Sequence, residues 1–103
     1  MANIIIAGVG GQGILVATDI IATAAVLAGF DAKKSEVHGV SHMVGSVSSH
    51  VRYATKVYSA LCLSGEVDLL IALEKLEALR TAHFVKERGD IIVNNKEIEP
   101  IQF

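Results

Sequence analysis

Short β-branched runs bounded by glycine or polar residues recur along the chain and predict strands buried on both faces of a parallel sheet. These doubly buried runs are Ile4–Ala7 and Val67–Leu73, and further strands are predicted over Ala32–Val37 and Asp90–Asn94. Longer stretches rich in Ala, Leu and Ile predict two helices, from Gly13 to about Ala28 and from Glu74 to His83. Gly29 stands where a glycine C-cap ends the first helix. Strand, helix and strand predict a βαβ unit with a right-handed crossover.

The middle of the chain follows a different pattern. Residues Ser46–Tyr53 alternate valine or tyrosine with serine, histidine and arginine, which predicts a strand with one face in water. Val57–Leu61 follows a polar turn and predicts the second arm of an antiparallel hairpin, with His50 on the solvated face. The predicted fold class is therefore a three-layer, Rossmann-like α/β domain over residues 1–103, with a mostly parallel sheet and an inserted antiparallel hairpin.

The first predicted helix is apolar over more of its surface than one sheet can cover. Asp19 and Thr23 share a narrow polar stripe, and most of the remaining surface is aliphatic. A domain of this length has too little chain to bury such a helix, so we expect a partner surface to cover it. Asp19, Thr18 and Thr23 also argue against a membrane span.

Charge and cysteine content exclude several classes of function. The 103 residues carry a formal net charge of −2 with a sequence pI near 6.0, which disfavours nucleic-acid binding. Cys62 is the single cysteine, so the chain alone forms no intramolecular disulfide, Cys-x-x-Cys pair or cysteine-ligated cluster. A lone cysteine and the lack of a basic segment before the first apolar run lead us to expect a cytoplasmic location.

The turn "GVGGQG" places Gly8, Gly10 and Gly13 in a G-x-G-x-x-G pattern between a strand and a helix. Gly11 and Gln12 complete the turn. Such glycines either let backbone N–H groups approach a phosphate or only allow a tight joint between strand and helix, and spacing leaves both readings open. Glu36 lies near the position where a dinucleotide site has an acidic residue for the ribose.

A second polar loop, "EVHGVSHMVGS", follows the second strand. Glu36, His38 and His42 have metal-binding side chains, but the glycines Gly39 and Gly45 favour a loop over the helix that this spacing needs, so no metal site is predicted. We assign no catalytic residue, because no nucleophile has a legible orienting partner. The loop is predicted to form a binding rim beside the first turn.

Together with "GDIIVNN" near the end, these two loops resemble the gamma-type domain of 2-oxoacid:ferredoxin oxidoreductases. The resemblance covers nearly the whole chain and is greatest to the beta subunits of indolepyruvate ferredoxin oxidoreductases. It implies a non-self-sufficient subunit of an enzyme that decarboxylates a 2-oxoacid oxidatively, forms an acyl-CoA and passes electrons to ferredoxin. Arylpyruvates are the expected substrates.

The resemblance also implies where the cofactors lie. Thiamine diphosphate, Mg²⁺ and [4Fe-4S] clusters are expected on partner subunits, with ferredoxin contacted only indirectly and coenzyme A as cosubstrate. The approximate thiamine motif of this chain has Glu66 and Val67 where aspartate and glycine are expected. Candidates for the substrate and coenzyme A rim are Gly8, Gly10, Gly11, Gln12, Gly13, Glu36, His38, Gly39, Ser41, His42, Gly45 and Ser46.

The chain departs from the family pattern in two ways. Met43 and Val44 replace the arginine and glycine that are usual in the second loop, which removes a cation that could bind an anion there. Family domains are also longer, so we expect the C-terminal part to be absent and the chain to be a truncated or split form. Two other hypotheses stay open: a free-standing NAD- or FAD-binding module, and a scaffold that only forms homo-oligomers.

Overall fold

The computed structural model describes residues 1–9, 13–38 and 46–94. Within these ranges the strands are β1 (Ala2–Val9), β2 (Asp31–His38), β3 (Ser46–Ala54), β4 (Val67–Ala72) and β5 (Val85–Val93). The helices are α1 (Ile14–Leu27) and α2 (Lys75–Thr81), and a 3₁₀ turn, Ala82–Phe84, follows α2. Every predicted strand and helix except the second arm of the hairpin is confirmed, with ends shifted by a few residues.

The described strands form one sheet in the order β2-β3-β1-β4-β5. β1, β4 and β5 pair in parallel, whereas β3 is antiparallel to both of its neighbours. Four strands therefore share one direction, and the predicted α/β fold with a mostly parallel sheet and antiparallel pairing is confirmed, although the antiparallel hairpin joins other strands than predicted. The hairpin consists of β2 and β3, so β3 separates the two strands of the predicted βαβ unit.

The predicted second arm of the hairpin, Val57–Leu61, is wrong, because this segment forms no strand. Side chains of β2 bind its backbone instead. The Val57 N–H donates to Asp31 Oδ2 at 2.9 Å, and Ser35 Oγ donates to the Ala60 carbonyl at 3.1 Å. Since these groups are satisfied by side chains, the segment crosses one face of the sheet without a backbone ladder.

The sheet has an apolar cluster on each face. The cluster on the α1 face is formed by Ile4, Ile6, Ile14, Val47 and Val51. The cluster on the opposite face is formed by Ile5, Ala7, Cys62, Val67 and Leu70, with Phe84 and Val85 packed against it. Helix α1 covers the first face, and the 3₁₀ turn and the segment after β3 cover the second.

The solvated position predicted for His50 is wrong. Because β3 is an interior strand with both faces covered, His50 is buried, and its Nδ1 accepts the Cys62 N–H at 3.0 Å. The ring also packs edge-on against Phe84, with 5.7 Å between the ring centroids. The alternating residues of β3 therefore lie on two buried faces of the sheet, and neither face of this strand is exposed to solvent.

The outer surface of α1 is exposed in this chain, in agreement with the excess apolarity seen in the sequence. Val16, Ile20 and Leu27 are each more than half exposed. Strand β5, the outermost strand next to β4, exposes Ile91 and Ile92. Among the residues that the structure describes, no helix is long and apolar enough to cross a membrane.

Candidate functional site

The first turn joins β1, which ends at Val9, to α1, which begins at Ile14. Gly13 is the N-cap of α1 with φ +81°, a left-handed conformation that L side chains rarely adopt. Without a side chain it makes no side-chain cap, and its carbonyl accepts the Ala17 N–H at 3.0 Å. A glycine is therefore needed here for the joint itself. Gly10, Gly11 and Gln12 lie outside the described residues.

The second loop joins the end of β2 to the start of β3. Its residues Gly39, Ser41, His42 and Gly45 lie outside the described residues, as do Met43 and Val44. His38 and Ser46, which flank it, are the last residue of β2 and the first of β3.

Strand register brings the two loops to one edge of the sheet. His38 pairs with Val47, and Val47 pairs on its other side with Gly8. Those three residues form one row across β2, β3 and β1, at the carboxyl ends of β1 and β2. In open α/β sheets ligands bind in crevices outside the carboxyl ends of strands, so this edge is the candidate site.

Strand β4 ends at the same edge. Ala72 pairs with Ala7, and the Leu73 N–H donates to the Ala7 carbonyl at 2.8 Å. Glu74 then begins α2 as its N-cap, and its carboxylate accepts the N–H groups of Leu76 and of Glu77, at 2.9 and 3.1 Å. The sequence prediction placed Glu74 as the first helical residue and missed this buried cap, although an acidic residue just before a helix is a usable signal.

Glu36 lies two rows inside that edge. It pairs with Ser49, which in turn pairs with Ile6 of β1. Glu36 is exposed and borders a groove of about 360 Å³ between α1 and the β2–β3 hairpin. The groove is lined by Leu15, Thr18, Asp19, Lys34, Ser35, Glu36 and Ser49.

The sequence pattern does not predict this groove. Asp19 and Thr18 stand out in the sequence as polar breaks in an apolar helix, but Lys34 and Ser49 carry no local signal. They join the groove through pairing between strands, which the sequence alone does not display.

The described residues carry no evident nucleophile. Burial raises the pKa of the Cys62 thiol to about 11, so the thiolate that would react is scarce at neutral pH. Burial also lowers the pKa of His50, whose Nδ1 already accepts a backbone N–H. Neither side chain is poised for acid, base or nucleophilic chemistry.

The described residues also form no recognisable metal-binding cluster. Within residues 1–9, 13–38 and 46–94, no cluster of three or more His, Cys, Asp or Glu side chains is arranged to hold a metal ion. The whole sequence has one cysteine, whereas an iron–sulfur cluster needs several.

A family model described as pyruvate ferredoxin/flavodoxin oxidoreductase matches residues 3–103. The chain is 42% identical over 100 residues to the indolepyruvate oxidoreductase subunit IorB of Thermococcus kodakarensis, covering 97% of this chain and 50% of that protein. It is 44% identical over 98 residues to the subunit of the same name from Archaeoglobus fulgidus, covering 95% and 48%. The chain thus spans about half the length of the curated relatives it matches.

Solved structures share the fold. The gamma subunit of a keto/oxoacid ferredoxin oxidoreductase from Geobacter sulfurreducens matches 97% of this chain and 57% of its own, with a TM-score of 0.72 and 25% identity. A 2-oxoglutarate:ferredoxin oxidoreductase from Magnetococcus marinus, with 2-oxoglutarate, coenzyme A and succinyl-CoA bound, matches 98% of this chain and 18% of its own. Its TM-score is 0.76 at 22% identity, and it supports the fold alone.

Proposed function

Because this chain belongs to the pyruvate ferredoxin/flavodoxin oxidoreductase family, we propose that it is the gamma-type part of an indolepyruvate ferredoxin oxidoreductase. The complete enzyme would convert an arylpyruvate and coenzyme A to an acyl-CoA, with electrons passed to ferredoxin. In this proposal residues 1–103 form one domain that shapes the substrate and coenzyme A cavity.

The row formed by His38, Val47 and Gly8 carries the proposal. It makes both glycine-containing loops leave the sheet at one edge, beside the end of β4 and the buried cap Glu74. A wall built from several adjacent loops on a rigid sheet suits a cavity that closes against another subunit. The rim residues named from the sequence are the proposed contacts.

The proposed division of labour follows from the chemistry of the chain's own side chains. Its single cysteine and the absence of a poised nucleophile among the described residues are consistent with a role in shaping the cavity. Thiamine diphosphate, Mg²⁺ and the clusters would lie on partner subunits. A cytoplasmic location is part of this proposal.

Sheet order disfavours the alternative of a free-standing NAD- or FAD-binding module. In a dinucleotide-binding sheet the strand that carries the acidic residue lies directly beside the first strand. Here β3 lies between β1 and β2, and at one strand spacing per step β2 is about 9–10 Å from β1. Glu36 is also two rows inside the edge, so it is poorly placed to bind a ribose held by the glycine turn.

Reconstitution tests the proposal. The chain is purified alone and together with a thiamine- and cluster-containing subunit from the same source, and indolepyruvate-dependent reduction of a one-electron dye is measured with and without coenzyme A. We expect activity only in the mixture, and only with coenzyme A. Activity of the isolated chain at the rate of the mixture, or no association with such a subunit, would contradict the proposal.

Titration with NADH tests the alternative function, a free-standing NAD- or FAD-binding module. Micromolar binding of NADH to the isolated chain that is lost on Glu36→Gln would favour the dinucleotide module. The matched control is Glu87→Gln, which removes the same charge from an exposed position on β5.

A further inference from the structure

Residues 57–64, here called the strap, cross the sheet face opposite α1 without joining the sheet. Two of its side chains point inward: Val57 is 1% exposed and Cys62 is 6% exposed. Most of its other residues are exposed. The strap therefore covers an apolar cluster of the sheet while resting on only two buried side chains.

Side chains of β2 and β3 hold the backbone of the strap. At the end nearer β2, Asp31 accepts one of its N–H groups and Ser35 donates to one of its carbonyls. Arg52 Nη1 donates to two further carbonyls, at 3.0 and 3.3 Å. At the other end, His50 Nδ1 accepts the Cys62 N–H at 3.0 Å. Each bond is a single contact, because the strap has no strand partner to form a ladder.

Only a neutral His50 can accept the bond from the strap. In the neutral imidazole, Nδ1 accepts when Nε2 carries the hydrogen, whereas both nitrogens of the charged ring are donors. Protonation of Nδ1 would turn a donor toward the Cys62 N–H and place a positive charge on a residue that is 4% exposed. Both costs fall if this end of the strap moves away and water reaches the ring.

The charged groups of this sheet face do little to stabilise a protonated His50. The titratable groups on the elements around it are Asp31 and Lys33 on β2, Arg52 on β3, Cys62 on the strap, Asp68 on β4 and His83 in the 3₁₀ turn. The acids are already compensated, since Asp31 is 3.7 Å from Lys33 and Asp68 contacts Lys86. Burial accordingly lowers the pKa of His50.

We propose that the strap is an acid-sensitive conformational device, in which protonation of His50 breaks the bond to the Cys62 N–H and releases this end. Asp31 and Ser35 keep the other end on β2. Release exposes the Cys62 thiol and the apolar cluster around Ile5 beneath it. The closed strap binds fewer protons than the open one, so it is most stable above about pH 6.5 and loses stability as the pH falls toward the lowered pKa of His50.

This device is independent of the proposed enzymatic role. His50 pairs with Ile5, three rows from the row of Val47 and Gly8 at the candidate edge. The strap also lies on the sheet face opposite α1. The 103-residue chain can therefore be tested without other subunits, and failure of one proposal leaves the other standing.

Native-state amide hydrogen exchange, followed by NMR in low urea at pH 7.5 and 5.5, tests the release. The Cys62 amide reports the strap, and the amide of the buried Leu70 on β4 reports unfolding of the whole domain. After correction for intrinsic exchange, we expect Cys62 to lose up to about tenfold in protection per pH unit below 6.5. At pH 5.5 its exchange should be faster than that of Leu70 and nearly independent of urea, because a local opening exposes little surface. Equal protection and equal urea dependence of the two amides would overturn the proposal.

Two variants identify the titrating group. His50→Asn keeps an acceptor oxygen close to the position of Nδ1 but does not titrate, so the protection of Cys62 should no longer change between pH 7.5 and 5.5. His83→Asn is the matched control, because it removes the exposed histidine whose ring centroid is 4.4 Å from that of Phe84. This control should keep the pH dependence of the wild type. Loss of the pH dependence in both variants, or its persistence in His50→Asn, would refute the role of His50.

Two measurements on the wild type need no variant. The imidazole ¹⁵N shifts of His50 at pH 7.5 should show an unprotonated Nδ1, and a protonated Nδ1 would overturn the proposal. The rate at which 4,4′-dithiodipyridine labels Cys62, divided by its rate with a peptide of residues 57–64, should rise from pH 7.5 to 5.5. An unchanged ratio would contradict exposure of the thiol by release of the strap.

Discussion

The two glycines that flank α1 provide a matched pair of substitutions that separates folding from function. Gly13 precedes the helix with φ +81°, and Gly29 follows it with φ +94°. A Cβ built on either residue meets no described atom within 4 Å. Gly13→Ala and Gly29→Ala therefore impose the same backbone strain without a steric clash, at opposite ends of one helix.

The magnitude follows from the left-handed conformation. An L residue costs about 1–2 kcal/mol there, and the loss of glycine's freedom in the unfolded chain offsets about 0.4–1 kcal/mol. We expect each variant to lose about 1 kcal/mol of unfolding free energy. For a domain of this size that corresponds to a Tm lower by roughly 4–8 °C.

The two glycine variants should differ in enzymatic activity. Gly13 lies in the turn proposed to border the substrate and coenzyme A cavity, whereas Gly29 lies at the far end of α1. In the reconstituted enzyme, assayed well below both Tm values, we expect Gly13→Ala to raise the KM for coenzyme A or lower kcat, and Gly29→Ala to match wild type.

Two results would refute this reasoning. Equal losses of activity in both variants would mean that the effect comes from stability or from assembly through α1. A Tm loss for Gly13→Ala far larger than that for Gly29→Ala would mean that the two strains are not equivalent and that the turn is more tightly packed than inferred.

Three further predictions concern stability and reactivity. Glu74→Ala removes the carboxylate that caps α2, so unfolding by urea should show a loss of about 1–2 kcal/mol, against little change for the exposed control Glu87→Ala. The pKa of His50 is lowered by burial, so the folded protein binds fewer protons than the unfolded chain, and Tm should fall as pH drops below 6.5 toward that lowered value. His50→Gln should reduce this pH dependence of Tm; an unchanged slope would show that other groups cause it. Cys62, whose pKa is raised to about 11 by burial, should react with a thiol reagent at about pH 8 only on the timescale of unfolding, and rapid labelling of the folded chain would contradict its burial.

Local sequence pattern determined much of the fold. Period-two and β-branched runs located the five described strands, and the helical stretches located α1 and α2. The glycine turn was correctly placed between β1 and α1, because the left-handed conformation of Gly13 is a local requirement that glycine meets.

Tertiary structure alone decided how the strands pair. The same alternation in β3 suits a hairpin with the following segment or an interior position between β1 and β2, since strand period does not specify a partner. The segment Val57–Leu61 lost its expected ladder because Asp31 and Ser35 of β2 bind its backbone. Burial of His50 follows from the same arrangement.

The sequence by itself thus determined the elements, the glycine joint and the two loops of the candidate rim. Only the tertiary structure decided that β3 lies between the strands that carry the two loops and that Ser49 and Glu36 border one groove. The physical reason is that conformational preference depends on neighbouring residues, whereas strand pairing joins residues far apart in the chain. Those pairings place the carboxylate of Glu36, the hydroxyl of Ser49 and the apolar side chain of Leu15 side by side.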